Sequence, residues 1–445
     1  MNRLIYLSLL FISASLISGC GGEELLEDRA ELATVEQGVS PTEVPVYTTP
    51  NPRPEGLGVL RRSIVNRREQ TYLPVDIHIL TANDPMLTGA TVIGFDDTRI
   101  RYLGGRHSQP LTWPGLLFWW PQGLSTIANP VYETGGYSFD RMSGWDGFQF
   151  ILPAGQRQFE LFTIDAGFID GVYIEIDGVR TSPEPLSLGH GNRGDLRYTL
   201  LTLPPSVADR DIRIVTQRSM LGEIRLPYGG KLGARRPEWD GGPKVVFVGD
   251  SITEGTGAGS ATDGWAIELA YRLGIDDPVV SALGGTGYLN RVADRPNFRE
   301  HISDVLDAFP GDRPDVVFVA GGINDCAFNS ASDVGNEALA YFQEMRAAAP
   351  DMAIVVFGPF VGPAGYDPVL MNCAEAIFAA ARSVPNTHTI DVSGWVTPTT
   401  STFIFNGDGS DPHPVRTGHR YYAKVAEQAV LKLLEDSLPG DKPGS

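Results

Sequence analysis

Four apolar residues, Val245-Val246-Phe247-Val248, run directly into Gly249-Asp250-Ser251-Ile252-Thr253. A short, unbroken apolar run rich in β-branched side chains reads as a strand buried on both faces, and so as part of a parallel sheet covered by helices. A serine at the carboxyl end of such a strand lies where open α/β sheets place their ligands. Taken alone, the stretch also fits a strand followed by an ordinary serine-containing turn. Three later segments change its meaning. Gly284-Gly285, Gly322-Ile323-Asn324-Asp325 and Asp411-Pro412-His413-Pro414 follow in order, each after an apolar strand-like run or near the chain end. Together they can supply a nucleophile, two further oxyanion donors and a base.

The pattern around these segments is α/β. Strand candidates are Val245–Val248, Val279–Ser281, Val316–Ala320, Ala353–Phe357 and Thr389–Val392. Helical stretches fall near Trp265–Leu273, Ile302–Ala308, Ala338–Ala349, Asn372–Arg382 and Gly418–Leu434. In the last of these Ala423, Ala426, Val430 and Leu433 share one face. Strands alternating with helices predict a parallel sheet with helices on both faces over residues 243–437. No internal repeat is present.

A chain of 445 residues exceeds one typical core, which leaves room for a second domain and tails. Residues 59–228 have a different texture, with period-two alternation from about Leu60 to Tyr228. Val172, Ile174 and Ile176 alternate with Tyr173 and Glu175, and similar short runs are separated by Pro, Gly and Asp clusters. This predicts an all-β, jelly-roll-like sandwich. The region holds Trp113, Trp119, Trp120 and Trp145, which suit either a carbohydrate-binding face or core and inter-domain packing. Residues 229–242, rich in Gly, Pro and Arg, read as the linker between the domains.

The chain starts like an export signal. Asn2-Arg3 precedes an apolar run, Leu4 to Ile17, that is short for a bilayer span. It ends Leu16-Ile17-Ser18-Gly19-Cys20, which resembles the bacterial lipobox. Residues 1–20 are then a lipoprotein signal with Cys20 as the lipidated residue, the alternative being a plain secretory signal with an incidental cysteine. Residues 21–58 read as a flexible tether and 438–445 as a tail. The expected location is the cell envelope, on the exported side, with the membrane reached only through the lipid. In an oxidising compartment the two remaining cysteines, Cys326 and Cys373, either form a disulfide or stay as buried thiols. Neither has zinc-ligand spacing, so no metal is expected. With 35 Lys and Arg against 54 Asp and Glu, the net charge of −19 repels phosphate backbones, which excludes nucleic acid as a partner and favours neutral substrates.

An unassisted serine hydroxyl is a poor nucleophile; it needs a base within reach and donors aimed at the developing oxyanion. The blocks quoted above resemble those of the SGNH (GDSL-type) hydrolases, over about residues 243–435. The segment Gly284-Gly285-Thr286-Gly287-Tyr288-Leu289-Asn290 is similar to a variant in bacterial members. The resemblance implies that Ser251 is the nucleophile and that its own N–H is the first oxyanion donor. It makes Gly285 N–H the second, with Gly284 as the alternative register, and the Asn324 amide the third. His413 is the implied base. The family usually carries Asp three residues before this histidine, where Ser410 stands here. Asp411 is the preferred orienting residue, with Asp408 or a Ser–His dyad as alternatives. His419 reads as the start of the final helix and His388 as structural. A β-sandwich ahead of such a domain also resembles carbohydrate esterases that deacetylate plant polysaccharides. The expectation is therefore a cofactor-free serine esterase cleaving short acyl groups, chiefly O-acetyl, from a small molecule or polysaccharide. The alternatives are an acyltransferase, a longer-chain lipase, or a glycan-binding surface lipoprotein with a vestigial hydrolase domain.

Overall fold

The computed structural model describes residues 55–64, 67–68, 72–73, 75–104, 111–113, 116–118, 145–165, 171–189, 195–216, 219–292, 295–309, 311–406 and 411–437. The leader with Cys20, Trp119, Trp120 and Asp408 lie outside the described residues.

Among the described residues the first element is a helix, α1 (Glu55–Ser63). It begins inside the stretch read as tether and runs into the one read as β-domain. Leu57 and Leu60 are fully buried against Val245, Val316 and Ala353 of the parallel sheet described below. A Cβ on Gly56 would lie 2.2 Å from the carbonyl oxygen of Asp315, so the helix can only sit this close with glycine there. Two leucines three residues apart among glycines and arginines are too weak a periodicity to announce a helix; its stability comes from docking.

The strands of the β-domain are β1 (His78–Ala82), β2 (Thr91–Gly94), β3 (Arg101–Leu103), β4 (Leu111–Trp113), β5 (Leu116–Phe118), β6 (Asp146–Leu152), β7 (Gln158–Asp165), β8 (Val172–Ile176), β9 (Val179–Arg180), β10 (Leu196–Thr202), β11 (Arg210–Thr216) and β12 (Ser219–Leu226). One antiparallel sheet has the order β1-β10-β7-β12-β2, a second β3-β6-β11-β8-β9, and β4 pairs with β5 alone. Phe148, Phe150, Ile174, Ile212 and Ile214 of the second sheet pack against Leu161, Leu201, Leu221 and Ile224 of the first.

Alternation would send Tyr173, Glu175, Arg213 and Val215 to solvent. All four are buried, because this face is covered by the α/β domain. Arg213 Nη1 meets Glu175 Oε2 at 2.9 Å, and Arg180 pairs with Glu268 across the domain junction. The Arg180 guanidinium also lies over the rings of Tyr173 and Tyr271, at 3.9 and 4.2 Å. Trp145, 1 % exposed, is part of this junction, so its ring serves packing. Trp113 lies on β4.

The second domain comprises β13 (Val245–Gly249), α2 (Ser251–Glu254), α3 (Trp265–Arg272), β14 (Val279–Ala282), α4 (Ile302–Leu306), β15 (Val316–Ala320), α5 (Ile323–Cys326), α6 (Ala331–Ala348), β16 (Ala353–Phe357), α7 (Pro368–Arg382), β17 (Thr387–Ile390), α8 (Pro398–Ile404) and α9 (Arg416–Asp436). Its strands are all parallel, in the order β14-β13-β15-β16-β17, as the alternating pattern predicts. The last strand lies two residues earlier than expected. Val392 is buried beyond the strand end, whereas Thr387 to Thr389 form a half-exposed edge. Val245, Phe247, Phe318 and Phe357 pack on α1, α3 and α9; Val246, Val248, Val317 and Val319 pack on α6 and α7. Burial on both faces explains the unbroken apolar runs. Ser251 opens a short helical turn beyond the end of β13, and Asn324 is the second residue of one beyond the end of β15.

If α1 belongs to this core, Leu60→Ala should lower unfolding stability by about 2–5 kcal/mol in a denaturant titration. A leucine that did not dock on the sheet would give no change.

Candidate active site

Ser251 is held by its neighbours. Asp250 caps α2, its Oδ1 accepting from Ile252 N–H at 3.0 Å. Burial pushes the Asp250 pKa up to about 7, that bond opposing the shift. Gly249 leaves no room for a side chain: a Cβ would lie 2.2 Å from Thr253 Oγ1 and 2.5 Å from Ala320 O.

His413 reaches the serine from the far end of the chain. Its Nε2 lies 2.8 Å from Ser251 Oγ, and its Nδ1 lies 2.6 Å from Asp411 Oδ1. The same carboxylate oxygen accepts from His413 N–H at 2.9 Å. This is an Asx-turn, in which an aspartate folds back onto the backbone two residues on. It explains how an acid two residues before the histidine, rather than three, meets the imidazole. Pro412 and Pro414 restrict the backbone on either side. With Nδ1–H donated to the carboxylate, Nε2 is left to accept the serine proton.

The Gly284–Asn290 loop borders the serine. A Cβ on Gly284 would come within 3.3 Å of Ser251 Cβ. Gly284 N–H donates to Glu254 Oε2 at 3.0 Å, which removes Gly284 as the alternative donor. Gly285 follows in the left-handed region, with φ of 80°. Asn324 Nδ2 donates to the next carbonyl, Thr286 O, at 2.9 Å. One amide hydrogen is thus used to orient the group and a second remains. Gly322, with φ of 119°, starts α5; a Cβ there would press on Ile377 and Pro359.

Sequence reasoning passed over Asp325. Its Oδ2 accepts from Tyr288 N–H at 2.8 Å, and its Oδ1 from Leu289 and Asn290 N–H at 2.8 and 2.7 Å. Burial raises its pKa, while those three bonds pull the other way. A Cβ on Gly287 would lie 2.0 Å from this carboxylate. The available signal was the pairing of Gly287 in one block with Asp325 in another. Cys326 and Cys373 form a disulfide, with Cα atoms 5.8 Å apart, tying α5 to α7. Among the described residues no group of three or more His, Cys, Asp or Glu could hold a metal ion, and no helix is long and apolar enough to cross a membrane.

His388 lies on β17, with Nε2 3.3 Å from Asn386 Oδ1. His419 is buried in the first turn of α9; its Nδ1 accepts from Trp265 N–H at 3.2 Å and its Nε2 donates to Thr256 O at 2.9 Å. Burial pushes its pKa from 6.5 down to about 4. A depressed folded-state value means protonation favours unfolding, so the stabilisation is complete above pH 6.5 and is lost as pH falls toward 4. The loss amounts to about 3 kcal/mol. Thermal midpoints of His419→Asn should therefore depend less on pH between these limits than those of the unsubstituted protein; parallel curves would refute the assignment.

Residues 247–421 match the GDSL-like lipase/acylhydrolase family. No curated protein matches the chain. Among solved structures it is similar to the salicylyl-acyltransferase SsfX3 from a tetracycline biosynthetic pathway, at 16 % identity and a TM-score of 0.58, over 78 % of this chain and 98 % of that one. It is also similar to a family two carbohydrate esterase from Cellvibrio japonicus, at 14 % identity and a TM-score of 0.53, over 81 % and 100 %. At such identities the likeness is one of fold. The family match covers residues 247–421, within the α/β domain, and supports a serine ester hydrolase.

Proposed function

We propose that the protein removes short acyl groups, above all O-acetyl, from carbohydrate through an acyl-enzyme on Ser251. The observation that carries this reading is the line from Asp411 through His413 to Ser251 Oγ, with contacts of 2.6 and 2.8 Å. His413 takes the serine proton as Oγ attacks the ester carbonyl, then returns it to the leaving alcohol. Asp411 holds the ring and stabilises the imidazolium. The oxyanion is met by the N–H groups of Ser251 and Gly285 and by the Asn324 amide. Water then repeats the sequence on the acyl-enzyme and frees the acid.

Two features favour a neutral sugar as the alcohol half. The net charge of −19 opposes anionic substrates. Phe328, four residues beyond Asn324 in the turn after α5, is 81 % exposed and offers a flat apolar surface for a sugar ring. The carbohydrate esterase of similar fold agrees with this choice.

Turnover of a p-nitrophenyl ester series, acetylated xylan and monosaccharide acetates tests the proposal. Acetyl esters should be preferred. Ser251→Ala should lose about 10⁴-fold or more and Asn324→Ala about 10²–10³-fold in kcat. Unchanged turnover in Ser251→Ala would favour the glycan-binding reading, a preference for long chains a lipase, and acyl transfer to an added sugar in place of hydrolysis an acyltransferase.

We also propose that Cys20 is lipidated and anchors the enzyme in the cell envelope, on the strength of Leu16-Ile17-Ser18-Gly19-Cys20. Radiolabelled palmitate should enter the protein and not Cys20→Ser; equal labelling would refute the anchor.

A further inference from the structure

We infer that the β-domain helps to position the catalytic imidazole, with Glu184 in the loop after β9 acting as a positioning residue for the His413 segment. This rests on reading His413 as the base.

Arg416, the first residue of α9, is three residues past His413, and Arg420 lies one turn further along the same face. Glu184 takes one arginine on each oxygen: Arg416 Nη1 lies 2.7 Å from Oε2 and Arg420 Nη1 2.8 Å from Oε1. On their other side both arginines meet Asp263, fully buried ahead of α3, at 2.9 and 3.2 Å. Arg420 also donates to Pro183 O at 2.8 Å and to the Tyr173 hydroxyl at 3.1 Å, both in the β-domain.

Alone, the start of α9 is electrostatically poor. Its N-cap residue, Val415, makes no side-chain capping bond, and its first turn holds no acid, yet two guanidinium groups lie near the positive end of the helix. The acids that offset this come from outside the helix, and the one from the β-domain contacts both arginines. The opposite side of the His413 segment rests on a fixed floor. A Cβ on Gly257 would lie 2.3 Å from Pro414 O and 3.2 Å from His413 Cβ, and Thr256 O is bonded to His419. The segment is therefore held between its own domain below and the β-domain at the helix start.

The Glu184 side chain is 51 % exposed and that of Arg416 40 %, so these pairs contribute little to global stability. That separates positioning from folding. In the full chain, Glu184→Gln should lower kcat about tenfold, because a small displacement of a catalytic group is costly. KM for a small acetyl ester should not change, and the thermal midpoint should stay within about 2 °C. Glu184→Asp should recover part of the loss. Arg420→Gln, which breaks the link from the helix side, should lower kcat and also the thermal midpoint, because it takes a partner from the buried Asp263. Glu375→Gln, in a remote exposed pair with Arg382, should behave like the unsubstituted enzyme. Unchanged kcat in Glu184→Gln, a loss there that tracks a fall in midpoint, or a rise in KM alone would each overturn the inference. If Ser251→Ala is inactive while Glu184→Gln keeps full turnover, only this inference fails. If Ser251→Ala stays active, the reading beneath it fails.

Discussion

A parallel sheet covered by helices on both faces leaves its chemistry one outlet, the edge where the strands end. Val245 to Val248 have no solvent face, so what β13 presents to a ligand is whatever follows Gly249. The same constraint governs β15, which ends at Ala320 and delivers Asn324 one helical turn later. Because β13 and β15 are neighbours in register, with Gly249 opposite Ala320, the two short turns emerge side by side. The close approach is possible because Gly249, whose Cβ would meet the carbonyl oxygen of Ala320, carries no side chain.

Placing a loop beside Ser251 is a separate problem, and a buried charge solves it here. Asp325 gathers the N–H groups of Tyr288, Leu289 and Asn290 onto one carboxylate, and Tyr288 fills the apolar core beneath, against Phe298 and Phe342. A buried carboxylate left unbonded would be costly, so the loop can hardly leave without exposing that cost. Asp325 stands next to Asn324 in the chain and next to the bridged Cys326, which couples the Gly284–Asn290 loop, Asn324 and α7 into one stiff assembly.

The junction between the domains follows the same logic on a larger scale. Glu175, Arg180, Arg213 and Glu268 are all buried there, and the Arg180–Glu268 pair forms only when the sandwich and the α/β domain meet. Such pairs add little over an apolar interface, but an unmatched one is strongly unfavourable. They select one docking geometry over others. The polar side of the period-two pattern is therefore an interface, which is why a strand such as β11 is buried along its whole length.

How much of this was legible depends on how far apart the interacting groups lie along the chain. The strand into Ser251, the parallel sheet, the sandwich and the residues Ser251, Asn324 and His413 stand in local patterns, because burial on two faces and turn chemistry act over a few residues. The register of the acid did not. Asp411 meets His413 only through the turn that its own carboxylate stabilises. Nor could the residues alone separate Gly284 from Gly285, since that rests on Glu254, which comes 30 positions earlier. The helix Glu55–Ser63, the loop anchor at Asp325 and the link from Glu184 to Arg416, 232 positions away, carry no periodic signal. Periodicity and spacing determined which elements form and which chemistry they carry. Tertiary structure alone decided which charges meet, because the pairing of buried groups depends on distances in space that sequence separation does not record.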